Sequence, residues 1–177
     1  MLVRTEAVVL ALQKHTDTSS ILHLYTREHG RVQYIVYGRK GASKQKRTGV
    51  STNIFSPLSL IEITADTKLS GTLPTLKSAS LIYVPCRMSS DMVRQCIALF
   101  IAEALYKTLK HPMEDQVLFE YISEVIRELD LSDSVEHIPA SFLTRLSELL
   151  GYGGEPMEEL SDMKSVGLLD GVGLYHN

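Results

Sequence analysis

The hydrophobic period of this chain changes once, from residue 90, and that change limits the architectures it can adopt. Before it, apolar residues recur at every second position. After it, they recur at spacings of three and four. The first pattern belongs to half-buried strands and the second to helices. Segments 3–12, 20–26, 31–37 and 59–64 carry the strand pattern. Ile21, His23 and Tyr25 alternate with Ser20, Leu22 and Leu24, and Arg31, Gln33 and Ile35 alternate with Val32, Tyr34 and Val36. Ile61 and Ile63 share a third such face. Arg27-Glu28-His29-Gly30 makes a short connection ending in glycine, as a hairpin requires. A weaker fifth strand is predicted near 71–76, where Pro74 confines it to an edge. Five short strands in about 80 residues predict a small closed barrel of the OB type.

Beyond the change, Ser89 or Ser90 is placed to cap a helix running to residue 110. Its middle, 96–102, is apolar all round, which predicts a central helix buried on most sides. Segment 114–129 is amphipathic: Val117, Tyr121 and Val125 lie beside Leu118, Ile122, Ile126 and Leu129, with Glu120, Glu124 and Glu128 outside. Pro139 opens a third helix that turns Phe142, Leu143, Leu146, Leu149 and Leu150 inward and stops near Gly151. Residues 155–166 suit a short acidic helix and 167–177 a tail. The predicted class is α+β: a five-stranded OB-fold β-barrel over 1–80, then an all-α domain over 81–177.

Charge divides along the same line. Residues 1–80 carry eleven basic and five acidic side chains, a net of +6; residues 81–177 carry seven and sixteen, a net of −9. Opposite signs imply different partners for the two halves, and the basic half implies a polyanion. Most of the basic excess is local. Between Gly38 and Gly49 stand Arg39, Lys40, Lys44, Lys46 and Arg47, with three glycines and no acid. Such a segment has little to bury and is expected to order on a partner. Arg27, Arg31, Tyr34, Tyr37 and Phe55 extend the pattern with aromatics. Single-stranded nucleic acid needs cations along its phosphates and flat side chains beneath its bases. Tyr34 shares a face with Val32 and Val36 and reads as core, whereas Tyr37, beside Arg31 and Gln33, is the better stacking candidate.

Catalytic patterns are weak. His15 near Asp17, and Ser19 and Ser20 near His23, read as a surface turn and a strand's polar face, because neighbours on a strand point to opposite sides. The glutamates at 120, 124 and 128 have no histidine stripe beside them. There is no GxxxxGK[ST] loop and no GxGxxG after a strand. Cys86 and Cys96 cannot form a four-cysteine zinc site, so no metal and no cofactor is expected. Arg4 and Glu6 interrupt the N-terminus, and the apolar run 7–12 is too short for a secretory or membrane segment, which makes the cytoplasm the expected location.

Several stretches resemble the RecO family. Thr5-Glu6-Ala7-Val8-Val9-Leu10 looks like its first strand, and 17–26 looks like its acid-x-Ser-x-Ile-x-x-Leu-x-Thr stretch. Gly38-Arg39-Lys40 with Ser43 looks like its basic loop, and Phe55-Ser56-Pro57-Leu58 like the approach to its fourth strand. Segment 98–106 is similar to the first long helix of its second domain. The resemblance covers about residues 1–150.

It implies a non-enzymatic mediator of recombinational repair in the nucleoid. Such a protein binds single- and double-stranded DNA, anneals strands coated by single-strand binding protein, and assists RecA loading with RecR. The DNA-contacting role carries over to Arg39 and Lys40; Arg27, Arg31, Tyr37, Lys44, Lys46 and Arg47 are added on charge and face. Two departures accompany the resemblance: many members hold a four-cysteine zinc site, and the family usually continues through further C-terminal helices. An RNA-binding OB module and a protein-interaction adaptor are the competing readings.

Overall fold

A computed structural model describes residues 2–37, 54–66, 73–112 and 114–152. Five strands precede three helices: β1 (Leu2–Lys14), β2 (Ser19–Thr26), β3 (Gly30–Tyr37), β4 (Leu60–Asp66), β5 (Leu76–Leu81), α1 (Met92–Thr108), α2 (Gln116–Leu131) and α3 (Ile138–Leu149). The class is α+β, with an OB-type sheet first. The strands form one antiparallel sheet in the order β3-β2-β1-β4-β5. β1 is long because it serves both halves. Leu2 to Val8 pair with β4, Ala7 to Lys14 pair with β2, and a register shift between Val9 and Ala11 bends it.

The fifth strand lies later than its predicted position. Pro74 has no N–H to give a ladder, but its carbonyl accepts from Ile35 N at 2.9 Å. Beside it, Thr75 makes one isolated parallel bridge to Ile35, and β5 begins only at Leu76. The expected closed barrel is therefore an open five-stranded sheet. Among the described residues, this bridge is the link between its outer strands β3 and β5.

Inside the sheet, Val9, Leu22, Leu24, Tyr34, Val36, Phe55, Ile61, Ile63 and Leu76 form the core. Tyr34 is core, as its face predicts, and so is Phe55, which removes both from the candidate stacking surface. The opposite face of β2 is also covered, since His23 and Tyr25 are buried. Leu58, fully buried, adopts φ 60° and donates its N–H to Val9 O at 2.8 Å. That left-handed conformation is unusual for leucine and is held here by burial and the bond.

The cap of α1 is Asp91, not either serine: its carboxylate accepts from Val93 N at 2.9 Å and Arg94 N at 3.4 Å. Ser90 instead turns its hydroxyl back to Arg87 O. α1 is buried on one side only. Ile97, Ala98, Ile101, Ala102 and Leu105 are covered, while Met92, Val93, Leu99 and Phe100 are exposed. Asp115 caps α2 through Leu118 N at 3.0 Å, and the apolar stripe of α2 is buried from Leu118 to Leu129, with Val117 left outside. Pro139 lies in the first turn of α3, and Gly151 follows its end at φ 78°. Phe142 and Leu146 are buried, but Leu143 is exposed. The chain forms two compact units, Met1–Phe142 and Leu143–Asn177.

Candidate nucleic-acid interface

Of the predicted cationic surface, the described residues hold Arg27, Arg31 and Tyr37. Arg27 and Arg31 flank the β2–β3 turn, where Thr26 faces Gly30. Tyr37 ends β3 at the other end of the hairpin, opposite Ser19. Arg31 and Tyr37 share a face but stand six positions apart, about 20 Å along a strand. Arg39, Lys40, Lys44, Lys46 and Arg47 follow β3 directly in sequence and lie outside the described residues.

Both turn arginines are engaged within the chain. The Arg27 guanidinium donates to Glu6 Oε2 from Nε at 2.8 Å and from Nη2 at 2.6 Å, and Nη1 donates to Glu120 of α2. It also lies 4.6 Å from the centre of the Phe119 ring. Glu120, then Glu6, raise its pKa further against the opposing effect of burial. Arg31 donates from Nη1 to Tyr106 O at 2.7 Å and Leu109 O at 2.6 Å, carbonyls left unpaired where α1 ends. A guanidinium with several donors in one plane suits that task, and a cation there also matches the helix dipole.

Between these arginines the outer face of β2 meets the helices. The Tyr25 ring stacks on Phe119 at 6.3 Å, and its hydroxyl reaches Asp115 O at 3.4 Å. Burial first, then Asp115, push the Tyr25 phenol up to about 12. His23 packs edge-on against Tyr106 at 5.0 Å. Its Nε2 is 3.0 Å from Gln13 Oε1, and Gln13 Nε2 donates to Tyr106 Oη at 3.1 Å. The bond to Gln13 Oε1 makes Nε2 the donor, so Nδ1 is unprotonated; it is buried without a partner. Burial and the nearby Arg31 lower the His23 pKa. This histidine is a neutral junction residue rather than part of a polar strand face.

Two family profiles match the chain: Recombination protein O N terminal over residues 1–85, and Recombination protein O C terminal over residues 89–156. The chain belongs to the RecO family. Among its RecO relatives, the DNA repair protein RecO of Phocaeicola vulgatus is 36% identical over 152 residues, covering 85% of this chain and 61% of that relative. The namesake from Porphyromonas gingivalis is 37% identical over 153 residues, with the same shares. That from Bacteroides fragilis is 34% identical over 152 residues, again 85% of this chain and 61% of the relative. The chain thus spans less than two thirds of the length of these three relatives.

Two charged residues of this RecO chain that the pattern reading passed over organise its centre. Asp130 is fully buried at the end of α2. Its Oδ2 accepts from Tyr83 Oη at 2.6 Å and Cys86 N at 2.8 Å, and its Oδ1 accepts from Arg87 N and Met88 N, each at 2.8 Å. Burial opposes ionisation, but the bond from Tyr83 and those from the three backbone amides outweigh it and hold the carboxyl down to about 2. Burial and Asp130 in turn push the Tyr83 phenol up to about 12. Arg94 is buried in α1, paired with Asp91 at 3.1 Å, and it donates to Ser132 O at 2.6 Å and to Leu129 O. Both were detectable. Asp130 falls four residues after Ile126 on an apolar stripe, and Arg94 four before Ala98. A charge on a helix's buried face marks a buried polar network.

Proposed function

We propose that this chain is a non-catalytic DNA-repair mediator that binds single-stranded DNA chiefly through Arg39, Lys40, Lys44, Lys46 and Arg47. The observation carrying this reading is the run of five cations and no acid between Gly38 and Gly49, within a member of a family whose named relatives are DNA repair proteins. Residues 1–80 form the polyanion-binding half, and the acidic residues 81–177 form the half that meets protein partners. Tyr37, next to the basic run, offers a ring to an unstacked base. Arg27 and Arg31 serve mainly to fix the sheet against the helices, because both guanidinium groups are engaged within the chain.

The mechanism is electrostatic. Cations shield phosphate repulsion between two strands and lower the barrier to their pairing. Annealing of complementary strands coated by single-strand binding protein, contact with duplex DNA, and RecA loading with RecR belong to the same reading. If about six phosphates are neutralised, log affinity falls against log salt with a slope near −4 for single strands. The five-alanine variant at 39, 40, 44, 46 and 47 should lose most of that slope and keep the parent's thermal midpoint. Unchanged binding by that variant would reject the site. A flat salt series in the parent would reject the mechanism. Competition between DNA and RNA oligonucleotides tests the RNA reading, since only RNA offers a 2′-hydroxyl.

A further inference from the structure

The last turn of α1 meets the sheet around Tyr106. The Tyr106 ring receives His23 edge-on from β2 at 5.0 Å and the Arg31 guanidinium from β3 at 4.4 Å. Its hydroxyl accepts from Gln13 Nε2 at 3.1 Å, so β1, β2 and β3 all reach one side chain. His23 is 4% exposed, and its Nε2–H is spent on Gln13 Oε1. Its Nδ1 is buried with no partner. A second proton would make that nitrogen a donor without an acceptor and put a charge where water does not reach.

The surroundings oppose that charge. From β3 the facing ion is Arg31, itself a cation, and the paired Gln33 is neutral. From β1 come Gln13 and the paired Ala11, while Lys14 turns to Asp17 at 3.4 Å. On α1, Glu103 lies a turn before Tyr106 and pairs with Lys107 at 2.7 Å. Asp115 meets Tyr25, two residues along β2, and its carboxylate caps α2 at Leu118 N. A protonated His23 would therefore share one ring with a like charge. The relief that disturbs least lies at the helix end. Tyr106 is half-buried and α1 stops at Thr108, so lifting one turn parts the two cations and opens no strand ladder.

We propose that His23 is an acid-operated latch, whose protonation releases the last turn of α1 from the sheet while the strand ladders stay closed. In the same step Arg31 leaves the carbonyls of Tyr106 and Leu109 and returns to solvent. This inference is independent of the DNA reading, because no residue of the basic run 39–47 takes part. With the junction closed, burial and then Arg31 hold the His23 pKa below its ordinary 6.5, and opening restores it. The closed junction is thus favoured fully above that range and progressively less as pH falls. The opening constant is nearly level above pH 7.5 and rises by up to about tenfold at pH 5.5.

The test is amide hydrogen exchange on the 177-residue chain at pH 7.5 and 5.5, corrected for intrinsic rates. Protection of Leu109, whose N–H bonds Leu105 O at 2.9 Å, should fall by about three- to tenfold at the lower pH. The β1–β2 and β1–β4 ladders should keep theirs. His23→Gln retains a donor for Gln13 but cannot titrate, so its Leu109 protection should be equal at the two pH values. Nitrogen shifts of the His23 ring in the parent give a second reading that needs no variant. They should show the Nε2-protonated form and a midpoint below 6.5. The proposal fails if Leu109 protection does not fall, or falls equally in His23→Gln. It also fails if the ladders lose protection in step with Leu109, which would mean global unfolding. A His23 ring that titrates at 6.5 or above while Leu109 stays protected would overturn it as well.

Discussion

Arg31 holds Tyr106 twice: its guanidinium lies 4.4 Å from the centre of the tyrosine ring and donates to the same residue's carbonyl at 2.7 Å. A β3 cation thereby grips the last turn of α1 by both side chain and backbone. Removing it leaves two carbonyls without their donor and forfeits the contact with the ring. Arg31→Ala should cost about 2–3 kcal/mol in urea denaturation. Arg31→Lys should recover less than half, since an ammonium lacks the flat guanidinium that lies over the Tyr106 ring. Full recovery by lysine would show that charge alone is at work.

Asp130 faces four donors, so replacing its carboxylate with an amide turns an NH₂ group toward N–H groups. Asp130→Asn should lose about 2–4 kcal/mol at neutral pH. The folded pKa of about 2 lies below the ordinary aspartate value of 3.8. Its stabilisation is therefore present above about pH 4 and lost as pH falls toward 2. The gap between parent and variant should narrow across that window in denaturation curves. A constant gap would show that shape, not charge, is what the site needs.

His23 is buried in its neutral form, and its folded pKa is lowered. Folding is thus favoured fully above the ordinary histidine range and progressively less below it. The groups against it are Gln13 from β1, Arg31 and the paired Gln33 from β3, and Tyr106 from α1. None of them is an anion that would welcome a second proton. Between pH 7.5 and 5.5 the parent should lose more stability than His23→Gln. Parallel curves would assign the acid sensitivity to another histidine.

The bond between Arg27 and Glu120 joins β2 to α2 at the protein edge, with the carboxylate about half exposed. Exposed pairs contribute little, so Glu120→Gln should change stability by less than about 1 kcal/mol. Phe119→Ala, under the same guanidinium but fully buried, should cost about 3–5 kcal/mol. Comparable losses in the two variants would contradict this ranking.

Periodicity located four strands and three helices to within a few residues, because alternation and helical spacing are local properties of a sequence. It could not see which second faces would be covered. His23 and Tyr25 read as an outward strand face, yet α1 and α2 lie on them. The middle of α1 read as buried all round, yet Leu99 and Phe100 remain exposed. Asp91 took the cap from the serines because its carboxylate reaches two amides. On the candidate site, charge counting found the cations but not their duties. Arg27 and Arg31 lie in the same basic half as Arg39, and only tertiary contacts reveal that Glu6, Glu120 and two helix-end carbonyls already claim them.

Among the described residues, the bridge between Ile35 and Thr75 is the one pairing of the outer strands. Every other pair of neighbouring strands is held by a ladder of several bonds, whereas here one backbone bond, Ile35 N to Pro74 O, spans the gap. The Ile35 amide should therefore exchange with deuterium well before those of Leu22 or Ile61, deep in the ladders. Pro74, having no amide proton, adds no second bond at that edge, so exchange there depends on the Ile35 amide alone.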